Sequence, residues 1–282
     1  KALAVFLAPH AEASLKPLAS AGVAGFRTPE SCADSIRAWR EWTPPADIPA
    51  PDAKQTADAE KLLKAATGKQ LNEQQACAVF GALGVPQAQT AVMADANTKV
   101  DIGYPAVAKI LSPDIAHKTD AGGVVLNIAD AAALKQTAQD ILSRVKAKHP
   151  QAKLNGILVQ RMERGLAEVI VGYKRDPQVG PLVVIGVGGI FAEVYKDIAM
   201  RLAPVTAETA MQMIEEVKGL AVIRGYRGLP RGDCAALAQA VAAFSQLAAF
   251  DDIAEAEINP LMIRNEGDGV VAVDGLIVRR QA

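Results

Sequence analysis

Aromatic residues are scarce in this sequence. Two tryptophans, four tyrosines and six phenylalanines make up 4% of 282 residues, while half of the chain is hydrophobic. The core must therefore be aliphatic, and stacking platforms of the kind that hold single-stranded nucleic acid are excluded. Charge of one sign is lacking too. Thirty basic residues face 31 acidic ones, for a net charge of −1. The footprint of a nucleic-acid binder is missing, so no nucleic-acid partner is expected. Only three cysteines occur, Cys32, Cys77 and Cys234, far apart and with no C-x-x-C pair. That argues against a disulfide framework and a thiolate zinc site, and fits the reducing cytoplasm. Long apolar runs are absent. The longest, Pro181 to Ala192, ends at Glu193 and is too short to cross a bilayer, so no membrane partner is expected. Lys1 to His10 has no plausible signal cleavage site. The chain does not begin with Met, and it reads as a piece of something longer.

What is present is a mixture of strands and helices. Leu3–Ala8 and Val23–Arg27 read as short strands, and Ser14–Ala21 and Ser31–Trp42 as helices. Thr28 is the cap of the second helix, with Pro29 at its favoured first position. This single α/β repeat looks like the end of a larger domain. The Pro- and Ala-rich stretch Thr43–Ala57 reads as an extended linker, which we draw at residues 43–66. A second domain, 67–282, follows. Its expected helices are Leu71–Leu83 (capped by Asn72), Asp130–His149, Thr206–Val217 and Cys234–Phe250 (capped by Asp233). Its expected strands are Tyr104–Leu111, Val124–Ile128, Gly156–Met162, Ala167–Tyr173 and Leu182–Gly186. A closing hairpin pairs Glu255–Ile263 with Val270–Val278. The fold class is mixed α/β (α+β).

Four places carry candidate chemistry. Lys109 ends an apolar strand, where it must either snorkel outward or meet an anion. Its removal is expected to cost little stability. A polar loop follows, S-P-D-I-A-H-K-T-D-A-G-G-V (112–124), in which Gly122 and Gly123 would let backbone amides approach phosphate oxygens. His117 stands in this loop among Lys, Thr, Asp and Gly. Such surroundings suit a phosphoryl-accepting histidine, and equally an ordinary exposed one. The hairpin gives the sharpest signal. With Asn265–Asp268 as its turn, partners sum to 533, so Asn259 lies opposite Asp274, with Glu257 two residues back on the same face. Three oxygen-bearing side chains converge there. Two carboxylates and an amide suit Mg²⁺, and a solvated edge hairpin is the plainer alternative. Gly186-Val-Gly-Gly-Ile-Phe191 lacks the last glycine of a dinucleotide fingerprint and reads as a tight turn near a ligand.

From about Leu71 to Arg279 the chain resembles the ATP-grasp domain of ADP-forming (NDP-forming) acyl-CoA synthetases, relatives of the succinyl-CoA synthetase β subunit. The motifs that carry the resemblance are Gly103-Tyr-Pro-Ala-Val-Ala-Lys109, the 112–124 loop, Gly156-I-L-V-Q-R-M162 and E-V-I-V-G-Y-K-R-D-P (168–177). They continue with G-V-G-G-I-F-A-E-V-Y-K-D (186–197), G-Y-R-G (225–228), E-I-N-P-L (257–261) and A-V-D-G (272–275). Residues 1–42 resemble the end of the flavodoxin-like CoA-ligase portion that precedes this domain in fused members. The resemblance implies two α/β subdomains with ATP or ADP between them. Lys109 and the Gly122-Gly123 loop would meet phosphates. Gln160 and Met162, in a hinge near 156–166, would meet adenine, with Glu168 near the ribose. Asn259 and Asp274 would hold Mg²⁺, Glu257 would lie where a phosphohistidine docks, and His117 would relay phosphate. CoA would be bound by domains outside this chain, in a phosphohistidine-bearing portion of the same ligase, fused or separate, and the ligase would be an oligomer. The implied reaction is acid + CoA + ATP giving acyl-CoA, ADP and phosphate. A degenerate, sensing copy of such a synthetase in a protein lysine acetyltransferase is the alternative, and it would have lost the metal and histidine positions.

Overall fold

The computed structural model describes residues 3–9, 11–42, 50–115, 117–188 and 197–280. His10, residues 43–49 of the proline-rich stretch and the glycine-rich motif beyond Gly188 lie outside the described residues. The chain divides into two compact units, Lys1–Asp47 and Ile48–Ala282.

The first unit pairs β1 (Ala4–Phe6) in parallel with β2 (Ala24–Phe26), joined through α1 (Glu12–Ser20) and followed by α2 (Pro29–Glu41). Thr28 caps α2 by accepting from the Ser31 amide, with Pro29 at the first position, as the sequence predicts. Cys32 is buried, whereas Phe6, Ile36, Trp39 and Trp42 remain exposed.

The second unit opens with a correction. Residues assigned to the linker form α3 (Ala53–Ala65). The prolines stop at Pro51, and Asp52 then caps the helix by accepting from the Gln55 amide at 2.8 Å. Ala59 and Leu63 are buried in the same core as α4 (Glu73–Ala82). Proline content hid a helix whose start lies just beyond the last proline.

Two sheets organise this unit. The first has four strands in the order β3 (Thr90–Met93), β6 (Gly156–Arg161), β4 (Ala106–Leu111) and β5 (Val124–Ile128). Helix α5 (Ala131–Lys148) covers it, and Asp130 caps that helix. Leu134, Ala138, Ile141 and Val145 share one helix face and are buried with Ala106, Ile110, Ile157 and Val159. The second sheet runs β11 (Val270–Ala272), β10 (Ile253–Ile263), β7 (Ala167–Asp176), β8 (Gly180–Val187) and β9 (Ile198–Leu202), with β12 (Gly275–Arg279) also on β10. Helices α4, α6 (Ala207–Glu216) and α7 (Cys234–Ser245) contribute to its core, where Phe80 and Phe244 meet edge to face with centroids 5.1 Å apart. The helix expected to reach Phe250 ends at Ser245, and a 3-10 turn over Gln246–Ala249 completes it.

The closing hairpin keeps its expected register. Ile263 faces Val270, Leu261 faces Ala272, and Glu257 faces Leu276. The second strand is interrupted at Val273 and Asp274, between β11 and β12. On the other edge of β10, pairing with β7 shifts between Ile258 and Leu261, a bulge holding Asn259 and Pro260. Pro260 has no amide hydrogen to give the ladder. Both strands thus leave regular pairing at one point, and the Asn259 amide donates to the Asp274 carbonyl there, at 3.4 Å.

Candidate functional site

A cavity of about 570 Å³ opens at this interruption, between the two sheets. His117, Glu257, Asn259 and Asp274 line it together with Glu73 and Lys118. Helix α4 supplies Glu73, the turn after β4 supplies His117 and Lys118, and β10 supplies Glu257 and Asn259.

Lys109, on β4, joins Glu73, Lys118 and Asp274 in one charge network. Lys109 Nζ donates to Glu73 Oε1 at 2.7 Å and to the Val273 carbonyl, and it sits 3.7 Å from Asp274 Oδ2. Lys118 Nζ donates to both Asp274 oxygens, at 2.9 and 3.0 Å, and lies 2.8 Å from Glu73 Oε2. Lys109 and Glu73 are buried; the Asp274 side chain is 30% exposed and reaches the cavity. Lys109 therefore does not snorkel. It is a buried ammonium beside the cavity, and this pairing argues that its loss would cost stability as well as binding.

Protonation follows from burial and pairing together. Burial pushes the Glu73 carboxyl up, and the Lys109 ammonium opposes it. Burial also works against the Asp274 carboxylate, but Lys109 and Lys118 outweigh it and hold the group below its usual range. Burial disfavours the Lys118 ammonium, yet Glu73 and Asp274 together raise it above the ordinary lysine value. Cys77, one turn after Glu73 on α4, is pushed up to about 12 by burial and by the Glu73 and Asp274 charges. It is an inert thiol at neutral pH.

The loop glycines behave differently from expectation. The Gly122 amide donates to the Thr119 carbonyl at 2.9 Å, and that of Gly123 to the Lys118 carbonyl at 2.7 Å. Both amides are used inside the turn rather than presented to a phosphate, and neither glycine lines the cavity. The glycines serve the turn itself. Gly122 adopts φ +69°, and a Cβ on Gly123 would collide with the Ile110 side chain. They fold the loop so that His117 is exposed on the cavity while Lys118 turns inward.

Gln160, Met162 and Glu168 stand apart from this cavity. Gln160 is buried in β6 opposite Val107, the Met162 amide donates to the Pro105 carbonyl, and Glu168 is exposed on β7 opposite Met262. They lie along and on either side of the 162–166 connection between the two sheets. A second cavity of about 590 Å³ lies beside that connection, lined by Arg161, Glu163, Arg164 and Arg264 among others. Arg264 donates to Glu163 at 2.6 Å there.

Asp274 offers a carboxylate already placed to pair with a cation, since Lys118 occupies it. Asn259 Nδ2 donates to Glu257 Oε1 at 2.9 Å, which ties the amide to the second carboxylate. Hard oxygen donors of this number, with room left for phosphates, fit Mg²⁺. Glu73 and the paired role of Lys118 were not foreseen. An acid after a helix cap reads as a favourable partner for the helix dipole; only the tertiary fold shows what it faces.

Two α/β layers with a polar cavity between their sheets define an ATP-grasp domain, and the model of that family, described as "ATP-grasp domain", matches residues 62–278. The chain belongs to this family, on the branch of the β subunits of ADP-forming acetate and acyl-CoA ligases. It is 37% identical over 218 residues to the acetate–CoA ligase (ADP-forming) I β subunit of Pyrococcus furiosus, covering 76% of this chain and 93% of that one. It is 38% identical over 217 residues to the single-chain acetate–CoA ligase (ADP-forming) I of Archaeoglobus fulgidus, covering 75% of this chain but only 31% of that ligase. The chain therefore spans about a third of the fused relative. A solved acetyl-coenzyme A synthetase of Ca. Korarchaeum cryptofilum superposes with a TM-score of 0.73 at 33% identity, over 79% of this chain and all of that one. That structure holds coenzyme A and Ca-AMPCP. In another state, superposing with a TM-score of 0.68 at 31% identity over the same shares, the same enzyme holds Mg-AMPPCP with its phosphohistidine segment pointing towards the nucleotide site. Nothing in these relatives supports a sensing module of an acetyltransferase. Among the described residues no helix is long and apolar enough to cross a membrane.

Proposed function

We propose that this chain performs the nucleotide half of ADP-forming acyl-CoA ligation. The observation that carries the reading is the cavity itself, in which Lys118, the acidic side chains of Glu73, Asp120, Glu257 and Asp274, the Asn259 amide and an exposed histidine meet, with the buried Lys109 paired to Glu73 and close to Asp274. The γ-phosphoryl group of ATP passes to a histidine imidazole nitrogen, the bond to the β-phosphate oxygen breaks, and ADP leaves. The phosphoryl group then goes to the carboxylic acid, and CoA displaces phosphate from the acyl phosphate. Within this scheme Lys109 contacts phosphate oxygens, His117 carries the phosphoryl group, and Glu257 orients the phosphohistidine. Gln160, Met162 and Glu168 hold the nucleoside along the 162–166 connection. Asn259 and Asp274 would hold Mg²⁺, which when bound neutralises phosphate charge during transfer. Catalysis of this kind is mainly positioning and electrostatics.

The remainder of the ligase binds CoA and the acid, as a fused portion or a separate subunit, in an oligomeric enzyme of the cytoplasm. The coverage of the two archaeal relatives supports both arrangements. Residues 1–42 form the end of its flavodoxin-like portion. Exposed Phe6, Ile36, Trp39 and Trp42 on so small a unit support further packing partners.

The test is full-ligase turnover. In the intact enzyme, His117→Ala abolishes ADP release in the presence of acid and CoA while Mg·ADP still binds. Labelled ATP gives an acid-labile phosphoenzyme that the variant does not form. Near wild-type turnover by His117→Ala would make it an ordinary loop histidine.

A further inference from the structure

Two lysines belong to the charge network at the cavity, and their situations differ. Lys109 is fully enclosed, with the Glu73 carboxylate and the Val273 carbonyl as acceptors and Asp274 nearby. Lys118 lines the cavity, on a turn set by Gly122 and Gly123, and grips Asp274 through both carboxylate oxygens. Its other contact is Glu73, whose side chain is 1% exposed, at the start of α4.

We propose that Lys118 is a second phosphate-binding cation, parked on Asp274 in the nucleotide-free protein, and that it exchanges Asp274 for phosphate when a divalent cation takes the aspartate. This rests on the nucleotide reading of the site. The charge balance requires some such exchange. Lys109 and Lys118 stand against the carboxylates of Glu73, Asp274, Glu257 and Asp120, so a polyanionic nucleotide approaching the parked network meets net repulsion. A divalent cation on Asp274 cancels that carboxylate and frees Lys118. The two charges of the cation offset the acidic excess, and both ammonium groups are then available to the phosphates. Glu73 is the fixed member. One of its oxygens keeps Lys109 in place and the other keeps Lys118 within reach, so the exchange moves a single ammonium between two acceptors lining the same cavity. Lys118 thereby stands in for the metal on Asp274 and keeps a partly buried carboxylate from being left unpaired, which is costly.

The experiment measures binding by calorimetry in the intact protein, with Mg·ADP and with Mn²⁺ alone as probes. Lys118→Gln is expected to weaken Mg·ADP by at least about tenfold, the loss of one charge-assisted hydrogen bond, and to tighten Mn²⁺ alone by a similar factor because Asp274 is vacated. Glu73→Gln reads the exchange from the other side. With Asp274 its sole remaining carboxylate partner, Lys118 grips it harder, and Mn²⁺ alone binds more weakly than to wild type. Lys118→Arg, which keeps the charge, holds Mg·ADP near the wild-type affinity. A lysine that only supports the fold would give weaker binding of both probes in Lys118→Gln, and that result overturns the proposal, as does unchanged Mg·ADP affinity. Should Lys118→Gln fail to fold, the Glu73→Gln result decides alone: Mn²⁺ affinity equal to or above wild type overturns it. Wild-type protein that binds no Mg·ADP would instead defeat the nucleotide reading itself.

Discussion

Lys109 shows how far a single residue can depart from its local sequence. In sequence it is a lysine at the end of an apolar strand. In the structure it is buried against a buried glutamate, and its removal leaves Glu73 with Lys118 alone as counter-ion. Breaking a buried pair from one side costs about 3 kcal/mol or more. Lys109→Ala is therefore expected to lose about that much stability in urea denaturation as well as nucleotide affinity. A Glu73→Gln/Lys109→Met double variant recovers part of the loss, because no buried carboxylate is left short of a counter-ion. Unchanged stability in Lys109→Ala would show that the ammonium is not held as described. The acceptor of Lys109 was illegible in sequence, since Lys109 and Glu73 lie 36 residues apart and no local pattern links them. Asn259 facing Asp274 was legible, because a hairpin with a recognisable turn fixes its own register.

At the level of elements, what could be read was local. Asn72, Asp130, Thr206 and Asp233 each cap the helix they precede, as expected from sequence. The interruption of the last strand at Asp274 was not legible, because nothing in A-V-D-G marks a break in pairing. Asp233 does more than cap. Its carboxylate accepts from the Ala236 amide at 2.9 Å and from the Gly267 and Gly269 amides at 3.0 Å each, joining α7 to the hairpin turn. The Ala236 amide foremost, helped by Gly269 and Gly267, holds this carboxyl below its usual range despite some burial. Asp233→Ala is expected to cost about 1–2 kcal/mol, the upper part of the range for a lost cap. The folded pKa lies below the unfolded one. The stabilisation is therefore complete above about pH 4 and is lost as pH falls through the folded value. The stability gap between wild type and Asp233→Asn should accordingly shrink below that pH. A gap that persists unchanged into acid would show that charge plays no part at this joint.

Across the whole second unit, most of the strands and helices were predictable from periodicity, though α3 and the edge strands β3 and β9 were not, whereas the cavity between the sheets depends on contacts made far apart in sequence. The hairpin carries Glu257, Asn259 and Asp274 to the turn that carries His117 and Lys118, and α4 closes the set with Glu73. A site built from three separate stretches of chain should bind its ligand only as a unit. The most direct measurement of this is the effect of Mg²⁺ on ADP affinity in the intact protein and in Asp274→Asn, followed by calorimetry. Wild type is expected to gain at least about tenfold in ADP affinity from Mg²⁺, close to 1.4 kcal/mol, and Asp274→Asn to lose most of that gain while still folding. An undiminished Mg²⁺ effect in Asp274→Asn would contradict the site.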